Sequence, residues 1–153
     1  MLLHELPDFP DLIAVAARQE QVDPGLVEKD YWIMHGLWGL QQLGFTFELK
    51  GGTSLSKGYG LIDRFSEDID ILIHPETDLK YGPNHGKPAH AAARLAFFDD
   101  LATRIRIAGI AAVERDTGFD DLPQYRGRAI HLSKSSRRFR PSTACIRKTE
   151  TCR

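Results

Sequence analysis

The chain has few of the features that mark secreted, membrane-spanning or metal-cluster proteins. Only two of its 153 residues are cysteine, and both lie in the last nine positions. Neither a disulfide framework nor a zinc site built on cysteine pairs is therefore indicated. No apolar run approaches the roughly 18 residues that span a bilayer, and the N-terminus lacks the basic start and apolar block of a signal peptide. We expect a cytoplasmic protein with no membrane partner.

The chain also lacks a strong net charge. Its 20 basic and 21 acidic residues leave a formal charge of −1. The overall electrostatics therefore do not indicate a nucleic-acid partner. Hydrophobic residues make up 42% of the sequence and charged residues 27%, which is typical of a soluble globular protein. The length suffices for one domain with a substantial core.

The most informative segment begins with a predicted strand over residues 45–49, where apolar and polar side chains alternate. Gly51 and Gly52 interrupt this strand. Residues without Cβ permit a tight turn and allow backbone N–H groups to approach a bulky anion. Thr53 or Ser54 can cap a short helix that would begin at this turn. The pattern predicts an anion-binding turn.

A second strand is predicted over residues 67–73, and it carries two carboxylates. Asp68 and Asp70 are two positions apart, so they project from the same face with Cα atoms about 7 Å apart. Carboxylates on an otherwise apolar strand are costly to bury unless a charge compensates them. Their hard oxygen atoms suit Mg²⁺. An anion-binding turn followed by a metal-binding carboxylate pair indicates phosphoryl or nucleotidyl transfer.

Two other phosphate-binding motifs do not fit this segment. A Walker-type loop requires glycine directly before its lysine, but Ser56 precedes Lys57. A dinucleotide fingerprint requires a third glycine where the chain has Asp63.

The sequence G-G-T-S-L-x-K at 51–57, followed by R-F-S-E-D-I-D at 64–70, resembles the signature of the AbiEii/AbiGii-type nucleotidyltransferases. These belong to the DNA polymerase β-like nucleotidyltransferase superfamily and include toxins of toxin–antitoxin and abortive-infection systems. Residues 27–32 (V-E-K-D-Y-W) resemble the helix that precedes the first strand in this family, and the likeness extends over about 24–133. It implies Mg²⁺-dependent transfer of a nucleotide from an NTP. In some members of the family the acceptor is the 3′ end of tRNA.

The motif and the resemblance together give two sets of candidate residues. The catalytic candidates are Asp68, Asp70, Ser66 and Lys57, of which the two aspartates would also hold the metal. The nucleotide-binding candidates are Gly51, Gly52, Thr53, Ser54 and Arg64. Lys57, Arg64 and Ser66 rest on the resemblance alone, because they match positions that the family keeps near the nucleotide.

Two helices are predicted before this segment. The first is capped by Asp8 and presents an apolar face formed by Leu12, Ile13, Val15 and Ala16. The second begins at Asp23-Pro24, runs to about Leu43 and stops at Gly44. Its predicted buried side consists of Val27, Tyr31, Met34, Leu37, Trp38 and Leu40. Trp32 and Trp38 are interpreted as packing residues rather than base-stacking ones. Lys29 and Asp30 are most simply a solvated face, and the family resemblance alone raises the chance that either reaches the site.

A third long helix is predicted over residues 89–108, followed by an antiparallel strand pair at 110–115 and 128–133. The helix should bury Leu95, Phe98, Ala102 and Ile105 and expose Arg94, Arg104 and Arg106. The predicted fold class is α/β (α+β), a minimal nucleotidyltransferase core with a small mixed sheet flanked by helices.

The composition changes after residue 133. Residues 134–153 contain seven Lys or Arg and one Glu, a net charge of +6, whereas residues 1–133 carry −7. We therefore divide the chain into a nucleotidyltransferase core (1–133) and a basic tail (134–153) that is expected to be disordered. The tail is consistent with an RNA-binding arm, a segment that never packs, or a truncated or frameshifted gene end. We favour the last, because the family continues further with catalytic positions that have no counterpart here.

The leading functional hypothesis is a Mg²⁺-dependent nucleotidyltransferase toxin that transfers a nucleotide from an NTP to an RNA, such as tRNA, or to a protein, and that is paired with an antitoxin. The alternative is a catalytically impaired remnant that binds nucleotide, RNA or an antitoxin without turnover.

Overall fold

The computed structural model describes residues 1–61, 69–76, 79–80, 86–120, 122, 125, 128–134 and 144–147. The helices are α1 (Phe9–Glu20), α2 (Pro24–Gln42), α3 (Gly51–Thr53) and α4 (Pro88–Arg104). The strands are β1 (Thr46–Leu49), β2 (Ile69–His74), β3 (Ile110–Asp116), β4 (Ala129–Lys134) and β5 (Ala144–Arg147). A π-helical turn, Ser54–Gly58, continues directly from α3.

The strands form one sheet in the order β1-β2-β5-β4-β3. The β2–β5 pair is parallel, and the other three pairs are antiparallel. The prediction of an α/β fold with a small mixed sheet is therefore confirmed. The predicted antiparallel pairing of the two strands after the long helix, now β3 and β4, is confirmed as well.

The core lies between the sheet and the two long helices. Its buried residues come from α2, β2, α4, the segment after α4 and β4. They are Ile33, Leu37, Leu40, Ile69, Ile71, Ile73, Phe98, Leu101, Ile105, Ile107, Ile130 and Leu132. Gly39 permits close packing of α2 against the segment after α4, because a Cβ at this position would lie 2.6 Å from Ile107 Cγ1. Within the described residues, no helix has the length and apolar composition that crossing a bilayer requires.

The predicted bounds of α2 are confirmed. Asp23 Oδ1 accepts a hydrogen bond of 2.8 Å from the Gly25 N–H, which satisfies one of the free donors at the start of the helix. The helix ends at Gln42, and Gly44 follows with φ +82°, a conformation that favours glycine. A cap at Asp8 also starts α1 where predicted, although its side chain makes no capping hydrogen bond.

The predicted buried faces of α1 and α2 are partly wrong. In α2, Met34 and Trp38 are exposed, whereas Ile33, Leu37 and Leu40 are buried. The sequence contains two overlapping apolar stripes at helical spacing, and periodicity alone cannot rank them. The burial of Trp32 confirms its interpretation as a packing residue, and Trp38 instead lies exposed beside His35.

In α1 the buried residues are Phe9, Ile13 and Ala17, whereas the predicted face also contained residues that are exposed, Leu12 and Val15. The helix contacts the rest of the protein mainly through α2. A single neighbour buries a narrow stripe, so apolar residues beside that stripe remain in solvent.

Helix α4 is shorter than predicted and buries a charge. It ends at Arg104, and Ile105 continues in extended conformation before the turn at Gly109. Arg94 was predicted to be exposed, but it is fully buried and donates a hydrogen bond to the Lys80 carbonyl oxygen. An arginine can pack its aliphatic stem in a core when carbonyl oxygens accept hydrogen bonds from its guanidinium group. Helical periodicity does not reveal whether such oxygens are nearby. Arg104 and Arg106 are exposed as predicted.

Strand β5 differs from the expected disordered tail. It pairs in parallel with β2 and antiparallel with β4, so it fills the space between them in the sheet. Lys134, the first residue of the predicted tail, is the last residue of β4. β5 is not recognisable from the sequence, because a four-residue strand carries too few positions for an alternating pattern. The division into a core at 1–133 and a tail at 134–153 otherwise stays a prediction.

The N-terminus offers a prediction about pH. His4 Nδ1 lies 2.7 Å from the Tyr31 hydroxyl, which can donate to it only when the imidazole is neutral at that nitrogen. Burial, and then the neighbouring His35, lower the pKa of His4, while Glu5 opposes this. The unfolded chain therefore takes up the proton more readily, and His4 makes the protein less stable as pH falls below about 6.5.

We expect the free energy of unfolding of the parent to fall more steeply than that of His4→Gln between about pH 7 and pH 5.5. Urea unfolding of both proteins at several pH values measures the difference. Parallel pH profiles would contradict the assignment.

Candidate active site

The centre of the site is the junction between β1, the glycine pair and β2. The Lys50 N–H donates a 2.7 Å hydrogen bond to the Asp70 carbonyl oxygen, which joins the end of β1 to β2. Gly51 has φ +58°, a conformation that side chains rarely adopt. A Cβ on Gly51 would lie 2.5 Å from Asp70 Oδ2. Glycine is therefore required here for its backbone conformation and because the Asp70 carboxylate packs directly against the turn.

The turn continues into α3 without the predicted side-chain cap. The N-cap residue of α3 is Lys50, and its side chain makes no capping hydrogen bond. Thr53 and Ser54 have right-handed helical backbone angles and lie inside the turn, so the prediction that one of them is the cap is wrong. The positive φ of Gly51 turns the chain immediately, and the helix starts earlier than the hydroxyl residues suggested. Thr53 is buried.

Of the predicted carboxylate pair, Asp68 and Asp70, only Asp70 lies within the described residues. It is half-buried on β2 between Ile69 and Ile71, which are fully buried and on the opposite side of the strand, as predicted. Asp68, Ser66 and Arg64 lie outside the described residues. The structure thus brings Gly51 and Asp70 together, while the predicted pairing of Asp68 with Asp70 stays a prediction.

Lys57, in the π-helical turn, contacts Asp30, for which the sequence favours a solvated position. Its Nζ lies 2.6 Å from Asp30 Oδ2 on α2. The side chains are only 26% and 16% exposed, respectively, so this is a partly buried ion pair rather than a surface contact. The interpretation of Asp30 as solvent-facing is therefore wrong. A charged residue on a helix gives no sequence signal of its partner 27 positions away.

A second lysine lies at the start of the glycine turn. Lys50 Nζ lies 2.6 Å from Glu48 Oε2, and His74 Nε2 lies 3.0 Å from Glu48 Oε1. The hydrogen bond and charge of Lys50, followed by the His74 contact, lower the pKa of Glu48. Lys50 was not among the predicted site residues, although its position directly before the glycine pair would have justified including it. Its ammonium group is paired with Glu48 on β1, the strand that leads into the turn.

The site presents one described carboxylate to a metal. Among the described residues, no group of three or more His, Cys, Asp or Glu side chains is arranged to hold a metal ion. Asp70 nevertheless fits a hard cation such as Mg²⁺, which commonly takes one or two carboxylates and completes its shell with water and substrate phosphate oxygens.

Comparison with known proteins identifies the family. The family described as nucleotidyl transferase AbiEii toxin, type IV toxin–antitoxin system, matches residues 33–143, which is more than two thirds of the chain. No curated protein and no solved structure matches the chain. The matched residues include the glycine turn, α3, Lys57 and Asp70. The chain belongs to the AbiEii family of nucleotidyltransferase toxins.

Proposed function

We propose that this chain binds an NTP together with Mg²⁺ at the turn formed by Gly51, Gly52, Thr53 and Ser54 and at Asp70, and transfers the nucleotide to an acceptor. The observation that carries the proposal is the packing of the Asp70 carboxylate against Gly51. A carboxylate oxygen, which is a suitable ligand for Mg²⁺, thus lies next to the glycine turn, and this supports the proposal. Family membership supports nucleotidyl transfer as the reaction class.

The residues of the chain have separable tasks in this proposal. The backbone N–H groups of the glycine turn bind phosphate oxygens, and the ammonium groups of Lys50 and Lys57 add positive charge nearby. Asp70, with Asp68 as the second candidate, holds Mg²⁺, which neutralises phosphate charge when bound. Ser66 and Arg64 are the remaining candidates for contacts to the nucleotide. The acceptor is an RNA such as tRNA, or a protein, and an antitoxin is the cognate partner.

A specific observation favours the alternative of nucleotide binding without efficient turnover. The parallel neighbour of β2 is β5, and its register places Arg147 next to Asp70. The sequence of β5, Ala-Cys-Ile-Arg, contains no carboxylate. β5 would therefore add no carboxylate to the metal site, and looser positioning of the transferred nucleotide would slow the reaction.

The deciding experiment incubates the purified chain with each labelled NTP, Mg²⁺ and total RNA. Label incorporated into RNA over many turnovers supports the enzyme. Nucleotide binding without incorporation into RNA or protein supports the remnant. Absence of both contradicts the two proposals.

Gly52 gives a prediction about the turn. Gly52→Val adds a branched side chain where phosphate is proposed to approach, while the backbone of Gly52 does not require glycine. We expect NTP affinity to fall about tenfold or more, equivalent to about 1.4 kcal/mol or more. Isothermal titration calorimetry with Mg²⁺ and each NTP measures the affinity.

The matched control is Gly58→Val at the other end of the turn. Among the described residues, a Cβ there would lie 4.0 Å from Ser54 Oγ, so the substitution adds the same side chain at the edge of the turn, and it should lower NTP affinity less than Gly52→Val does. Equal NTP affinity in Gly52→Val and the parent would exclude the glycine pair as the phosphate-binding turn.

A further inference from the structure

The ion pair between Asp30 and Lys57 connects the proposed nucleotide site to helix α2. Lys57 lies on the π-helical turn that continues from the glycine turn, and Asp30 lies near the middle of α2. Their 2.6 Å contact joins residues that are 27 positions apart in sequence. Asp30 precedes the residues matched by the family, which begin at residue 33. One of the two residues in this contact, Asp30, therefore lies outside the matched region.

The burial of this pair indicates a role beyond surface charge. The Asp30 side chain is only 16% exposed, and its Oδ1 atom is buried without a hydrogen-bond partner in the described part of the chain. Keeping a carboxylate in such surroundings is costly, because the lysine replaces only part of the lost hydration. Apolar residues at both positions would pack without this cost. What the ion pair adds is a fixed location for one end of a flexible lysine side chain.

We infer that Asp30 is a positioning residue for nucleotide binding, which holds the Lys57 ammonium group in place beside the glycine turn for the phosphate groups of an NTP. The inference rests on the proposed function of the glycine turn. A lysine has three N–H donors, and its ammonium group can bind a carboxylate and a phosphate oxygen at the same time. A preorganised cation loses less side-chain entropy when the nucleotide binds.

The test is a double-mutant cycle on NTP affinity with Asp30→Asn and Lys57→Met. Asparagine keeps the shape of Asp30 and removes its charge. We expect Asp30→Asn to weaken NTP binding about tenfold in the parent and to have almost no effect in the Lys57→Met background, since the loss of a hydrogen bond to a charged group has about this size. Asp30→Glu, which restores a carboxylate, should recover part of the affinity.

Glu28→Gln is the matched control. Glu28 lies on the same helix, its side chain is also 16% exposed, and it pairs with a different lysine, Lys134. We expect Glu28→Gln to leave NTP affinity unchanged. Thermal melting of each variant shows how much of an effect is a loss of stability.

Three results would overturn the inference. The first is an equal loss of affinity from Asp30→Asn in both backgrounds, which would mean that Asp30 acts on the fold and not through Lys57. The second is unchanged affinity, and the third is tighter binding, which would mean that Asp30 competes with phosphate for the lysine.

The proposed function is tested separately by Gly52→Val. If the parent binds no NTP, the proposed function itself fails. If the parent binds NTP and Gly52→Val does not, the glycine turn is supported as the nucleotide site. The double-mutant cycle then tests the role of Asp30 alone.

Discussion

Asp70→Asn is expected to slow Mg²⁺-dependent nucleotide transfer about 100-fold or more, because removing one preorganised group that stabilises transition-state charge costs about this much. It should also weaken Mg²⁺-dependent NTP binding. The substitution keeps the size of the side chain and removes the charge that would hold the metal. It also retains the backbone hydrogen bond from Lys50 N–H to the Asp70 carbonyl oxygen. The fold should therefore persist. Calorimetric titration of NTP with and without Mg²⁺, and label transfer to RNA, measure the two effects.

Glu48→Gln is the control for Asp70→Asn. It removes one negative charge from the adjacent strand β1, where Glu48 contacts Lys50 and His74 at the surface. A general electrostatic effect on an anionic ligand would appear in both variants, and both would bind NTP more tightly as negative charge is lost. If Asp70 holds the metal, NTP affinity in the presence of Mg²⁺ should instead fall, and it should fall strongly in Asp70→Asn alone. Full Mg²⁺-dependent activity in Asp70→Asn would show that the carboxylate is not part of the mechanism.

The sequence predicted the strand–turn–strand unit well because its signals are local. The alternation in β1, the glycine pair and the three isoleucines of β2 each depend on neighbours a few positions away. The buried side of α2 was predicted less well, since two apolar stripes compete and the choice depends on the sheet and on α1. Arg94 shows the same limit, because its burial depends on the carbonyl oxygen of Lys80, 14 positions away.

The candidate site divides in the same way. Gly51 and Asp70 could be named as candidates from the sequence, because the chemistry proposed for them depends on their own side chain or on the lack of one. Their direct contact could be anticipated only in part, since it depends on the antiparallel register of β1 and β2. The contact of Asp30 with Lys57 could not be derived from spacing, because it depends on where α2 lies against the π-helical turn.

Strand β5 leads to the second large expected effect, which concerns stability. Deleting residues 135–153 removes the strand that pairs with both β2 and β4. The hydrogen-bonding edges of these strands would lose their partners, and the adjacent core residues Ile69 and Ile130, both buried, would become accessible to water. We expect the deletion to abolish the cooperative thermal transition, since losing an interior strand costs a large part of a stability of about 5–15 kcal/mol.

Two comparisons separate β5 from the rest of the basic segment. Deleting only residues 148–153, which follow β5, should change the melting temperature little. The substitution Ile146→Pro removes one backbone donor from a position that pairs with Ile69 and Ile130, and should destabilise the protein by about 2–4 kcal/mol. Thr149→Pro, three residues further along, should be nearly neutral. Thermal melting by circular dichroism and urea unfolding measure all four proteins.

The outcome also decides between the interpretations of the basic segment. An unpacked segment predicts that deletion of 135–153 leaves the melting temperature unchanged, and that result would contradict the role of β5 in the sheet. An RNA-binding arm predicts a shallower dependence of RNA affinity on salt in Lys148→Gln and Arg153→Gln, two substitutions outside β5, because RNA binding releases fewer counterions when a phosphate contact is lost.

Since β5 is the parallel neighbour of β2, its loss should also loosen Asp70. Ile146→Pro should therefore weaken Mg²⁺-dependent NTP binding even at temperatures where the protein remains folded, whereas Thr149→Pro should not.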